Sequence, residues 1–150
     1  VSGAKTAART PQGALRTLAW ISGLYDLALG VAMLLFAPAM ARAFGAPPPV
    51  PVVNAQLNGV FTLTLGIGYF WAAAAPTERR GYFWLAGVLA KGLGTALFLF
   101  DHFARGSPRA FLLFALTDGA LALATLALLL RRPAGLSIPS PARADGTPPR

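Results

Sequence analysis

Cysteine is missing altogether from this chain of 150 residues, and histidine occurs once, at His102. The first absence removes disulfides, thiol redox relays and zinc-thiolate sites. The second rules out a haem clamped between two histidines of one chain, and a multi-histidine metal site without an oligomer. Charge is scarce too, at 12% of residues, where soluble domains carry about 25%. Only 5 acids face 13 lysines and arginines, for a net charge of +8. No motif of nucleic-acid recognition accompanies the basic residues, so no nucleic-acid partner is expected. They cluster instead between apolar runs, where the membrane orientation rule accounts for them.

What is abundant is apolar side chain, at 55% of residues. Four apolar segments stand out, at about 15–36, 52–75, 81–103 and 110–130. Each holds about 20 residues, enough at about 1.5 Å per residue to cross a hydrocarbon core of about 30 Å. Inside lipid the backbone must satisfy its own hydrogen bonds, so these segments are expected to be helices. The fold expected is all-α, an antiparallel four-helix transmembrane bundle over residues 15–131, within the lipid bilayer as its first partner. Prolines 47, 48, 49 and 51 make the first joint an extended connector. Residues 1–14 and 132–150 are rich in small residues and proline, and are expected to be disordered cytoplasmic tails. Ala39-Met40-Ala41 imitates a signal-peptidase site. The apolar run before it, however, exceeds the usual 7 to 15 residues or so, so a retained helix is expected. The chain as given starts at Val1, which leaves its true start open.

Alternating spans would gather Lys5, Arg9, Arg16, Arg79, Arg80, Arg131, Arg132, Arg143 and Arg150 on one side, against Arg42, Arg105 and Arg109 on the other. That bias places both termini and the "PTERR" turn in the cytoplasm. Trp20, Trp71, Tyr82 and Trp84 fall near the cytoplasmic boundary, as interfacial aromatics do.

Three ionisable residues break the apolar pattern at mid-span: Asp26, Lys91 and Asp118. Lys91 lies ten residues past Gly81, about 15 Å into the membrane. Each such group costs about 2.5–3.5 kcal/mol at a helix centre. They are therefore expected to face one another or water, with Lys91 and Asp118 as the preferred pair and Asp26 close by. Small residues share their faces: Ser22, Gly23 and Gly30 beside Asp26; Gly87, Gly94 and Thr95 beside Lys91; Ala115, Ala122 and Thr125 beside Asp118. Asn54, Asn58 and Thr62 form a polar stripe on the second segment, followed by Gly66 and Tyr69. Two carboxylates against one ammonium leave one negative charge in excess. In a dry site one aspartate is expected to hold a proton near neutrality. Such a set either fixes helix register or serves a proton, ion or polar ligand.

Asp101 and His102 close the third segment as interfacial polar residues, and no metal site is expected there. The glycines of "LGIGYF" and "KGLG" lack the phosphate-loop pattern and are expected to serve close packing. Neither a Gly-x-Ser-x-Gly elbow nor a His-Glu-x-x-His helix is present. No catalytic residue or cofactor is expected.

"YDLALGVAMLLF", "LGIGYFWAAAAPTERR", "AKGLGTALFLF" and "TDGALALATLALLL" together resemble small four-helix bacterial inner-membrane proteins, broadly DoxX-like, over residues 15–130. The resemblance implies an accessory membrane subunit, associated in that family with quinone-linked oxidoreductase complexes. The first functional expectation is thus a non-enzymatic accessory or scaffold subunit whose buried charges specify packing. The alternative is a small oligomeric transporter of protons or solutes past Asp26, Lys91 and Asp118. A membrane-embedded enzyme subunit of lipid or quinone chemistry is the third, with the thinnest acid–base inventory. The protein partner expected is a second copy or a larger membrane complex.

Overall fold

The structure is a computed structural model that describes residues 11–131. Four helices cross its length: α1 (Pro11–Ala43), α2 (Val52–Ala74), α3 (Arg80–Arg105) and α4 (Arg109–Leu130). All four are long and apolar enough to span a membrane, and no strand occurs among the described residues. Large apolar side chains such as Leu24, Leu35, Leu97, Leu116 and Leu123 point outward. In water such a surface would be a liability, whereas against lipid tails it is what a spanning bundle requires. The chain is a multi-pass membrane protein.

Helix α1 departs from the span expected at 15–36 at both ends. Residues 11–14, expected to be loose, are helical. Beyond residue 36 the chain stays helical instead of becoming extended. Phe36 leaves helical geometry (φ −129°, ψ 22°) just before Pro38, and a bent continuation runs to Ala43. Proline costs a hydrogen bond inside a helix, and the kink is how the backbone accommodates it. Gly45, at φ +71°, then stops the helix. Its N–H donates to the Arg42 carbonyl (3.1 Å) and that of Ala46 to the Ala41 carbonyl (2.8 Å), the paired bonds of a Schellman cap. The tails expected at 1–10 and 132–150 lie outside the described residues.

Helices α1 and α2 pack backbone to backbone through four glycines. A Cβ on Gly66 would stand 2.9 Å from the Gly23 carbonyl oxygen, and one on Gly30 2.8 Å from that of Gly59. The antiparallel seam thus repeats every seven residues on both helices, and only hydrogen fits at its contacts. Helix α3 runs mainly along α4. The bundle is therefore two hairpins laid side by side. At the end that holds Leu15 and Leu129, Ala19, Tyr69, Ala72, Phe83 and Ala86 close them into one apolar core.

Within α3, Phe83–Ala90 winds as a π-helix. The wider turn changes the angular position of everything after it, and Lys91 is the first residue past it.

Candidate functional site: an ion-paired set at the floor of an apolar vestibule

Lys91 projects between α1 and α4. Its Nζ donates to Asp26 Oδ1 at 2.7 Å and to Asp118 Oδ1 at 3.0 Å. One ammonium thereby joins three helices. All three side chains are withdrawn from the surface, with exposures of 7% for Lys91, 5% for Asp26 and 16% for Asp118. Both aspartates sit in direct contact with the lysine, and Asp26 is the nearer of the two. The Tyr25 ring lies 4.9 Å from Nζ and adds a cation–π contact. The Tyr25 hydroxyl is held in turn by Thr117 Oγ1 at 2.9 Å.

Small residues make the convergence sterically feasible. A Cβ on Gly87 would come to 2.7 Å from Thr125 Cγ2, whereas one on Gly94 would make only an ordinary contact, 3.5 Å from Asp118 Oδ2. Thr95 and Thr125 donate their hydroxyls to the carbonyls of Lys91 (2.9 Å) and Leu121 (2.7 Å). The Thr95 hydroxyl also reaches the Ala115 carbonyl of α4 at 3.4 Å, and neither threonine bonds to the charged side-chain groups. Ser22 is buried on the Asp26 face of α1. Asp26 Oδ2 is buried without a hydrogen-bond partner. One acceptor of the set is thus left over, alongside its excess negative charge.

The set forms the floor of a cavity of about 550 Å³ between the two hairpins. Leu29 and Met33 of α1, Leu65 of α2, and Phe98 and Phe114 of α3 and α4 supply apolar walls. The bent end of α1 and the connector, through Met40, Phe44, Pro47 and Pro49, form the rim. Phe44 lies across Phe111 and Phe114, with ring centroids 6.0 and 4.9 Å apart, so the rim is anchored on α4. The opposite end is sealed by the Tyr69–Phe83 core. The connector forms one mouth of the cavity, and its lining also includes Phe61 of α2 and Ala90 of α3, both exposed on the outer surface of the bundle.

Of the polar stripe, Asn58 and Thr62 line this vestibule. Asn54 is exposed beyond it. The Thr62 hydroxyl is already committed to the Asn58 carbonyl at 2.8 Å. Among the glycines, Gly66 belongs to the α1–α2 seam and Gly68 makes room for the Tyr82 hydroxyl, which donates to the Leu65 carbonyl at 2.6 Å. Gly92 faces open space and packs nothing, contrary to expectation. Asp101 pairs with Arg105 at 3.3 Å, and His102 Nδ1 lies 2.8 Å from the Ser107 carbonyl, so both act at the end of α3. No group of three or more His, Cys, Asp or Glu side chains that could hold a metal occurs among the described residues.

Comparison with protein-family models, curated proteins and solved structures finds no match.

Three parts of the site carry no sequence motif. Tyr25 precedes Asp26 and could have been noticed as an aromatic next to a buried charge. The π-helical stretch has no compositional mark. The phenylalanines of the vestibule read in sequence as ordinary lipid-facing residues.

Proposed function

We propose that this chain is a non-enzymatic membrane protein that holds a small solute inside the bilayer, in the vestibule whose floor is Asp26, Lys91 and Asp118. One observation carries the reading: all three ion-paired side chains line the inner end of a cavity of about 550 Å³. That volume falls in the range of about 300–1,000 Å³ usual for small-molecule sites, with apolar walls and a few convergent polar groups. A charge set that served packing alone would need no cavity above it.

The scaffold reading keeps one observation of its own, because Lys91 fastens α1, α3 and α4 through two ion pairs. The two roles are compatible in an accessory subunit. Transport past the same residues would additionally require the sealed end to open. The DoxX-like kinship, the bacterial inner membrane and cytoplasmic termini belong to this proposal too. They are supported by the quoted sequence stretches and by the gathering of basic residues on the side of the termini. On that orientation the vestibule faces outward.

Thermal unfolding of the detergent-purified chain, in the presence of cationic, neutral and anionic amphiphiles of about 10–15 heavy atoms, tests the reading. At least one class is expected to raise the unfolding temperature of the native chain, as any ligand of the folded state does. The same compound should leave Thr62→Trp, which fills the vestibule, unmoved. If no class stabilises the native chain, the vestibule holds no solute and the scaffold reading stands alone.

A further inference from the structure

The charge balance of the floor specifies what the vestibule takes. Ionised together, Asp26 and Asp118 carry two negative charges against the one positive charge of Lys91, an excess that a proton is expected to balance while the vestibule is empty. Lys91 is already engaged by both carboxylates at 2.7 and 3.0 Å, so its charge is neutralised within the floor and two of its three N–H donors are spent. What remains is acceptor capacity: Asp26 Oδ2, buried and unpartnered, and the carboxylate of Asp118, the most open of the three side chains. The walls point the same way. Phe98, Phe111 and Phe114 all line the cavity. The faces of such rings carry negative potential and attract cations, most strongly when water is excluded. The polar wall groups are few, and the Thr62 hydroxyl is already spent on its own helix. An anionic ligand would therefore meet mostly acceptors and ring faces, with the Asn58 amide and the third N–H of Lys91 as the side-chain donors on the lining.

We propose that the vestibule binds an amphipathic monocation, a substituted ammonium on an aromatic or branched alkyl body, with its charge against Asp118 and its body among the phenylalanines. The inference rests on the vestibule reading and adds the ligand class to it. A single positive charge takes the place of that proton and keeps the floor neutral with both carboxylates ionised, which no anion or neutral molecule does. In a low-dielectric site that neutralisation is worth far more than at a surface.

The test compares phenethyltrimethylammonium with its uncharged carbon isostere, 3,3-dimethylbutylbenzene, and with 4-phenylbutanoate. Binding to the purified chain is read by isothermal titration and by unfolding temperature. The cation is expected to bind, with the neutral isostere at least tenfold weaker and the anion not at all. Asp118→Asn reduces the floor to one balanced pair and is expected to weaken the cation on the order of thirtyfold, the loss usual for removing one partner of a buried charge pair. The isostere comparison uses the native chain and so holds even if that variant does not fold. Equal binding of the cation and its isostere overturns the inference, as does preference for the anion, and both leave the vestibule reading standing. Absence of binding by all three probes also overturns the inference, and the vestibule reading falls with it if the broader panel fails as well.

Discussion

Removing the lysine while leaving its partners would test whether the charge set holds the bundle. In Lys91→Met the two carboxylate oxygens that touch Nζ, at 2.7 and 3.0 Å, are left within about 6 Å of each other without their counter-ion. At an effective dielectric of about 20, two negative charges at that separation repel by about 3 kcal/mol. Loss of the lysine adds the desolvation of the abandoned carboxylates, which places the total in the range of about 3–5 kcal/mol found when a buried pair is broken. The triple variant Asp26→Leu, Lys91→Met, Asp118→Leu removes all the charge and keeps comparable volume. It is expected to stay within about 1 kcal/mol of the native chain, since buried ion pairs replaced by packed apolar groups are often neutral. Equilibrium unfolding in mixed detergent micelles, titrated with a denaturing detergent, measures both. A triple variant less stable than the single one would show that the charges contribute beyond cancelling one another, and would refute this accounting.

Two further substitutions examine the packing around the set. Gly30→Ala would place a Cβ 2.6 Å from the Leu63 backbone nitrogen, so a loss of about 1–3 kcal/mol is expected from overpacking; Gly92→Ala meets nothing within 4 Å and should be neutral or slightly stabilising in the same titration. Equal effects at the two positions would contradict the glycine seam. Tyr25→Phe keeps the ring 4.9 Å from Lys91 Nζ but removes the hydroxyl bond to Thr117, for a loss of about 1 kcal/mol. Tyr25→Leu removes both and should lose about 0.5–2 kcal/mol more. Identical losses would mean that the ring contributes nothing to holding the ammonium.

Much of the fold was legible because membrane helices are written in bulk composition. A run of about 20 apolar residues has few other uses, so the boundaries of α2, α3 and α4 fall close to the expected ones. Helix α1 was harder to bound, because Pro38 reads as a stop and the structure turns it into a bend. The convergence of Asp26, Lys91 and Asp118 was legible for an energetic reason: three costly groups at one depth must meet or find water. Their detailed geometry was not, since it depends on the π-helical turn over Phe83–Ala90, which rotates Lys91 into place without any sequence mark. The vestibule was invisible for a different reason. Phe61 and Phe98 have the same composition whether they face lipid or a cavity, and only the separation of the two hairpins distinguishes the cases.

With Tyr69 and Phe83 packed behind the charges, passage across the whole membrane would need that core to part. Phe61 and Ala90 line the chamber while standing exposed on the outside of the bundle, so a guest would trade places with lipid tails at its flank as well as past Phe44 and the connector prolines. The bend at Phe36, which swings the end of α1 across the threshold, would then govern how quickly the exchange takes place.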